Sequence, residues 1–181
     1  MAEALYLVMA GAPLTGRAVD AVAAARARGW NPAIIATPSG AQWLDREHLA
    51  ALGVPVLDGQ RTPDEPKRLP PAQAVILAPG TFNTINKLAT GAADTYALSV
   101  LCESLGSKTP MVIVPFVNAK LAGHPAWFAS LAVLRYAGAV QIDPRNGAVN
   151  SHDPIESGTG DQVAADFRWN WALDTIPASK P

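Results

Sequence analysis

Four short stretches concentrate glycines, hydroxyls and amides directly after apolar runs. They are Gly11-Ala-Pro-Leu-Thr-Gly16, Thr37-Pro-Ser-Gly40, Pro79-Gly-Thr-Phe-Asn-Thr84 and Pro115-Phe-Val-Asn118. Each opens a helix-like run, so its free amides and short polar side chains sit where an anion such as a phosphate is held. The first stretch has the spacing GxxxxG but is followed by Arg17. A nucleotide P-loop needs Lys and then Ser or Thr there, so it reads either as a phosphate-facing loop or as a plain strand-to-helix turn. Thr37 and Ser39 can cap a helix or bind a phosphate with the same hydroxyls. In the third stretch Gly80 admits close approach to the backbone, and Thr81, Asn83 and Thr84 are more polar groups than one cap requires. Asn118 follows a strand that ends in Pro115. His124 precedes Pro125 and reads as an acid or base, or more simply as a helix cap. His48 reads as a helix-surface residue, and His152 is assigned no role. No GxSxG, HExxH, cysteine pair or Cys/His cluster is present in the sequence, which leaves serine hydrolysis and metal chemistry without support.

The elements that must position these stretches alternate. Strands are expected at 4–10, 33–36, 54–57, 74–78, 111–114 and 139–142. Helices are expected at 15–28, 41–52, 82–90, 94–105 and 125–137, with Gly29 and Gly53 as stops and Pro125 at a first helical position. Residues 59–71 are polar and Pro-rich, a loop. Strands alternating with crossover helices imply an α/β fold with one parallel sheet covered on both faces. Such sheets bind ligands beyond the carboxyl ends of their strands, where the four stretches fall. A single domain is expected. Residues 1–145 form its ligand-binding part, 146–160 a flexible Gly/Ser/Asp-rich loop, and 161–176 one amphipathic helix that docks through Val163, Phe167 and Trp171.

The chain has 181 residues, 49% apolar and 16% charged, with a formal net charge of -1. That composition suits one globular core and gives no reason to expect nucleic acid or an anionic membrane as partner. Its one cysteine, Cys102, excludes an internal disulfide and fits a reducing, cytoplasmic setting. The N-terminal segment lacks a basic region and reads as a strand rather than a signal peptide. No run of about 20 apolar residues is present to span a membrane.

These residues resemble a family. Pro79-Gly-Thr-Phe-Asn-Thr84, continued by Ile85-Asn-Lys-Leu-Ala-Thr-Gly91 and Ala93-Asp94, is similar to the Pro-Ala-Ser-Ala-Asn-Thr motif of the homo-oligomeric flavin-containing cysteine decarboxylases, phosphopantothenoylcysteine decarboxylase among them. Pro115-Phe-Val-Asn118 resembles their Pro-x-Met-Asn motif, and His124-Pro125 falls at the family's spacing after it. The likeness runs from about Leu5 to Pro144. It implies a Rossmann-like or flavodoxin-like three-layer sandwich that binds FMN. It places the FMN phosphate near Gly11, Ala12, Thr37 and Ser39, and the flavin near Pro79, Thr81, Asn83 and Thr84. It implies a small-molecule substrate whose carboxylate Asn118 holds, and a homo-oligomer, a trimer or an assembly of trimers.

The likeness has gaps. The family's catalytic histidine would fall near Glu65, and no histidine lies between His48 and His124. A carboxylate with an ordinary pKa of about 4.3 does not replace imidazole as a base near neutral pH. The family's tail cysteine is replaced by the stretch Ser157-Gly-Thr-Gly160, and Ala12, Val117, Leu121 and Ala122 also depart from its pattern. Three readings stay open: an FMN enzyme with altered chemistry on a small thiol- or carboxylate-bearing substrate, a cysteine-type decarboxylase using another base, and a non-catalytic binding or regulatory module.

Overall fold

In the computed structural model, described for all residues except Met1, Arg61, Pro63, His152 and 177–181, six strands form one parallel sheet. They are β1 (Ala4–Met9), β2 (Asn31–Ala36), β3 (Val56–Leu57), β4 (Ala74–Gly80), β5 (Met111–Pro115) and β6 (Val140–Gln141), in the spatial order β3-β2-β1-β4-β5-β6. Every pairing is parallel. The central strands are apolar throughout because both faces are covered. Leu5, Leu7 and Ile76 point into one layer, and Val8, Val75 and Leu77 into the other. The chain winds outward in one direction from β1 and in the other from β4, so the order reverses between these two strands. That reversal opens a crevice beyond their carboxyl ends.

The first layer holds α1 (Ala18–Arg26), α2 (Arg46–Ala51), α7 (Gly160–Asp166) and α8 (Trp169–Leu173); the second holds α3 (Phe82–Thr90), α4 (Tyr96–Gly106) and α6 (Pro125–Tyr136). A short α5 (Ala119–Ala122) follows Asn118. No helix among the described residues is long and apolar enough to cross a membrane.

Three expected helices are broken. The run at 15–28 begins as a 3₁₀ turn, Pro13–Arg17, and becomes α-helical at Ala18. The run at 41–52 splits into a 3₁₀ turn, Gly40–Trp43, and α2, because Leu44 is extended and the Asp45 carboxylate accepts from the His48 amide as a fresh N-cap. The helix at 161–176 is two helices, α7 and α8, with Phe167 and Arg168 extended between them. Arg17 explains that break. Its Nη1 donates to the carbonyls of Ala164, Ala165 and Phe167 at 2.7–2.9 Å, which takes up acceptors orphaned at the end of α7.

Residues 146–160 do form a loop, but it is fastened at several points. The Asp143 carboxylate is fully buried and accepts from Arg145 Nε, Nη2 and backbone N and from Ser151 Oγ. Burial alone would raise the pKa of this carboxyl group; the Arg145 hydrogen bonds and charge outweigh that and hold it below the ordinary aspartate value. Ile142 bridges Val149, and Ile155 bridges Asn118. His152 lies outside the described residues.

Candidate functional site

The four polar stretches meet at the carboxyl edge of the sheet. The Ala10 amide donates to the Pro79 carbonyl at 3.4 Å, the Thr37 amide to Met9 at 3.0 Å, and the Phe116 amide to Gly80 at 2.8 Å. The first two stretches are in tight contact. A Cβ on Gly11 would lie 2.8 Å from Ser39 Cβ and Oγ, and one on Gly40 would lie 2.3 Å from the Met9 carbonyl oxygen. Neither position admits a side chain without displacement, so the two glycines set the separation of the loops. Thr37 is buried; its Oγ1 accepts from the Gly40 amide at 3.0 Å and lies 3.2 Å from the exposed Ser39 Oγ. Ala12 is buried at the head of the 3₁₀ turn Pro13–Arg17. Arg17, beyond Gly16, serves the tail rather than the rim.

In the third stretch, Pro79 follows a cis peptide bond and stays within β4. Thr81 caps α3, its Oγ1 lying 3.0 Å from Thr84 Oγ1. Thr84 is buried, whereas Asn83 stands exposed on the first turn of α3. Phe82 stacks on Trp127 at 5.9 Å and meets His124 edge-on at 5.8 Å. His124 is the cap of α6, its Nδ1 accepting from the Ala126 amide at 3.1 Å. This is the simpler of its two roles.

A cleft of about 250 Å³ joins Gly11 and Ala12 to Asn118, with Trp43, Phe116 and Ser157 among its walls. Asn118 is half-buried and caps α5; its Oδ1 accepts from the Leu121 amide at 3.0 Å. The amide nitrogen Nδ2 keeps two donors for a ligand. The structure therefore brings Gly11, Ala12 and Asn118 together, with Thr37 and Ser39 on the same rim. It does not bring Glu65 to them. Glu65 is exposed in the Pro-rich loop, where its carboxylate accepts from the Thr62 amide at 3.0 Å.

The tail contributes more than its composition suggests. Ile155, Glu156, Ser157, Gly158 and Gly160 line the cleft, held there because the Ile155 amide donates to Val117 and its carbonyl accepts from Ala119. Glu156 is the ionisable residue of the cleft wall among the described residues. The one signal for this segment was that 157–160 falls at the place of the family's tail cysteine. Trp43, 45% exposed at the cleft mouth, had no signal beyond its being a large aromatic on a helix.

A family model described as Flavoprotein matches residues 12–165. Over 76 residues the chain is 37% identical to the coenzyme A biosynthesis bifunctional protein CoaBC of Bacillus subtilis, covering 42% of this chain and 18% of that protein. The chain thus spans about a fifth of the length of such curated relatives. It is 24% identical over 160 residues to the probable phosphopantothenoylcysteine decarboxylase of Streptococcus mutans, covering 84% of this chain and 89% of that one. Among solved structures, the FMN-dependent cysteine decarboxylase TvaF from thioviridamide biosynthesis superposes with a TM-score of 0.69 at 21% identity, covering 90% of this chain and 98% of that one. The phenylacrylic acid decarboxylase from Aquifex aeolicus superposes with a TM-score of 0.70 at 14% identity, covering 100% and 99%. At these identities the structural likeness speaks for the fold.

Proposed function

The chain belongs to the Flavoprotein family, and from that premise we propose that it binds FMN along the carboxyl edge of its sheet and acts on a small thiol- or carboxylate-bearing substrate. The observation that carries this reading is the glycine cradle, in which Gly11 and Gly40 leave no room for a Cβ beside Ser39 and Met9. Backbone amides at such a turn suit a phosphate, and Thr37 and Ser39 add hydroxyls to it. The third stretch, Pro79 through Thr84, would border the flavin ring, with Asn83 exposed toward it. When bound, the flavin supplies a two-electron oxidation, as flavins do.

The protein's own part is positioning. Asn118 Oδ1 is committed to its helix, which holds the side chain at the cleft wall and leaves Nδ2 to act as a donor for a carboxylate oxygen. Phe116 and Trp43 wall the cleft with apolar surface, which strengthens that hydrogen bond by reducing competing water. Glu65 is not placed to serve as base for a substrate held by Asn118 in the same chain. The work is therefore decarboxylase-like or oxidative chemistry that does without the family's histidine. The assembly is proposed as a homo-oligomer built on trimers.

The decisive experiment is the absorption spectrum of the purified protein, with the mass of any released chromophore. Flavin bands and an FMN mass are expected, and Asn83→Ala should release the chromophore or shift its bands. A colourless protein that takes up no added FMN would overturn the reading. Asn118→Asp separates binding from folding. Aspartate caps a helix as well as asparagine, so stability and flavin content should hold. The new carboxylate replaces a donor with a repelling charge, and KM for a carboxylate substrate should rise about tenfold or more, the cost of a lost charge-assisted hydrogen bond.

A further inference from the structure

A hollow larger than the cleft opens at the other end of the sheet. About 460 Å³ of space opens at the amino ends of β4 and β5, where Ala72 and Thr109 lead into the strands, and it shares no residue with the cleft at their carboxyl ends. One wall is a face of α4, on which Tyr96, Val100 and Glu103 recur at spacings of four and three. The other wall is the end of the Pro-rich loop with Lys67, Arg68 and Leu69, and the floor is Tyr6 of β1.

Its chemistry is specific. The Arg68 guanidinium lies 5.5 Å from the centroid of the Tyr96 ring, and its Nη2 donates to the Gly59 carbonyl. One edge of the guanidinium is thus held and the plane is fixed by the ring, while the remaining N–H donors have no acceptor among the described residues. Neither Lys67 nor Arg68 has an ion-pair partner there either. Tyr6 Oη donates to the Pro70 carbonyl, which ties floor to loop. Burial, and then the nearness of Tyr96 and Glu103, make the Tyr6 hydroxyl harder to ionise. Tyr6, Tyr96 and Glu103 line the same space, with the Tyr6 hydroxyl hydrogen committed to the Pro70 carbonyl. Among the described lining residues, two cations stand against one carboxylate, one positive charge in excess. A pre-oriented guanidinium over an aromatic face is the arrangement that grips a carboxylate attached to a flat body.

We propose that this hollow is a second binding site, for a small planar organic acid, with the carboxylate on Arg68 and Lys67 and the flat body between Tyr96, Tyr6 and Val100. The proposal does not rest on the flavin reading, since no residue of the rim takes part. The test uses benzoate as the probe and the full chain as purified, with amide shifts followed by NMR. Benzoate should give saturable shifts concentrated at 67–72 and 96–107. Benzamide, of the same shape without the charge, should bind about fivefold more weakly, and Arg68→Gln should weaken benzoate about fivefold. Tyr96→Leu keeps an apolar side chain and removes the ring, and should weaken both probes about threefold. No saturable shift up to roughly 10 mM, where affinity is too slight to be specific, would overturn the proposal. So would equal binding of the two probes, or binding untouched by either variant. Flavin content is read in the same samples, so a failure here is distinguishable from a failure of the cofactor reading.

Discussion

Gly40→Ala is expected to cost about 2–3 kcal/mol of stability and to lower FMN affinity at least tenfold. The added methyl would sit 2.3 Å from the Met9 carbonyl oxygen, 3.0 Å from its carbon and 3.1 Å from Thr37 Oγ1. Two of these atoms are backbone of a central strand and cannot swing aside. The turn from Thr37 to Gly40 must retreat instead. Retreat breaks the Thr37 amide bond to Met9 and the Gly40 amide bond to Thr37 Oγ1, each 3.0 Å long. Overpacking of this kind costs about 1–3 kcal/mol, and each lost hydrogen bond adds about 1 kcal/mol less whatever relaxation recovers. In a chain of this size the melting temperature should fall by roughly 4–12 °C. The same retreat carries Thr37 and Ser39 away from Gly11, which spoils the cradle. Gly16→Ala is the control. Gly16 lies on the facing stretch with Gly11, but a Cβ there meets nothing within 4 Å. It should stay within about 0.5 kcal/mol of the parent and keep its flavin. If Gly40→Ala melted and bound FMN like the parent, the contact between the two loops would not be what shapes the site.

The strands were legible because burial on both faces leaves a plain mark. Ala4–Met9, Ala74–Gly80 and Met111–Pro115 read as unbroken apolar runs closed by Gly or Pro. The α/β sheet followed from the alternation of such runs with helical patterns, and the family from the resemblance carried by the 79–84 and 115–118 motifs. Local competition was less legible. Asp45 restarts a helix inside an Ala/Leu pattern, and the periodicity that joins 41 to 52 carries no sign that Leu44 turns extended. The tail failed for a different reason. Val163, Phe167 and Trp171 have helical spacing, yet Phe167 is pinned by an arginine far away in sequence, and no local pattern encodes such a partner. Capping and ligand readings of one residue also proved compatible. Asn118, expected only as a substrate-holding residue, is also a helix cap through Oδ1 and keeps Nδ2 for other work.

Phe167→Ala should be among the most damaging single changes in the molecule, at about 3–5 kcal/mol. Phe167 is 2% exposed between the two short tail helices. Its ring meets Trp169 edge-on at 5.2 Å and Trp171 at 5.7 Å. Trp171 in turn lies against Gly147, whose φ of +77° and missing Cβ make room for the indole. Removing the Phe167 ring therefore leaves a void shared by three aromatic positions, and neither α7 nor α8 is long enough to stand alone in water. The carbonyl that Arg17 holds at 167 is main chain and survives the substitution, so that grip loosens only as far as the backbone shifts into the void. A loss of this size approaches the whole stability of many domains, and a fall in melting temperature of roughly 6–20 °C is expected. Phe167→Leu refills most of the void and should cost about 1–1.5 kcal/mol. The consequence for the site is indirect. The tail holds residues 155–160 against Asn118, so loosening it should raise KM while the rim of Gly11, Thr37 and Ser39 still binds flavin. Limited proteolysis separates the outcomes. Cleavage in the tail at a temperature where the sheet is still folded, with flavin retained, would make the tail a separately melting part of the domain. One cooperative transition that releases flavin and tail together would make it an integral layer of the sandwich.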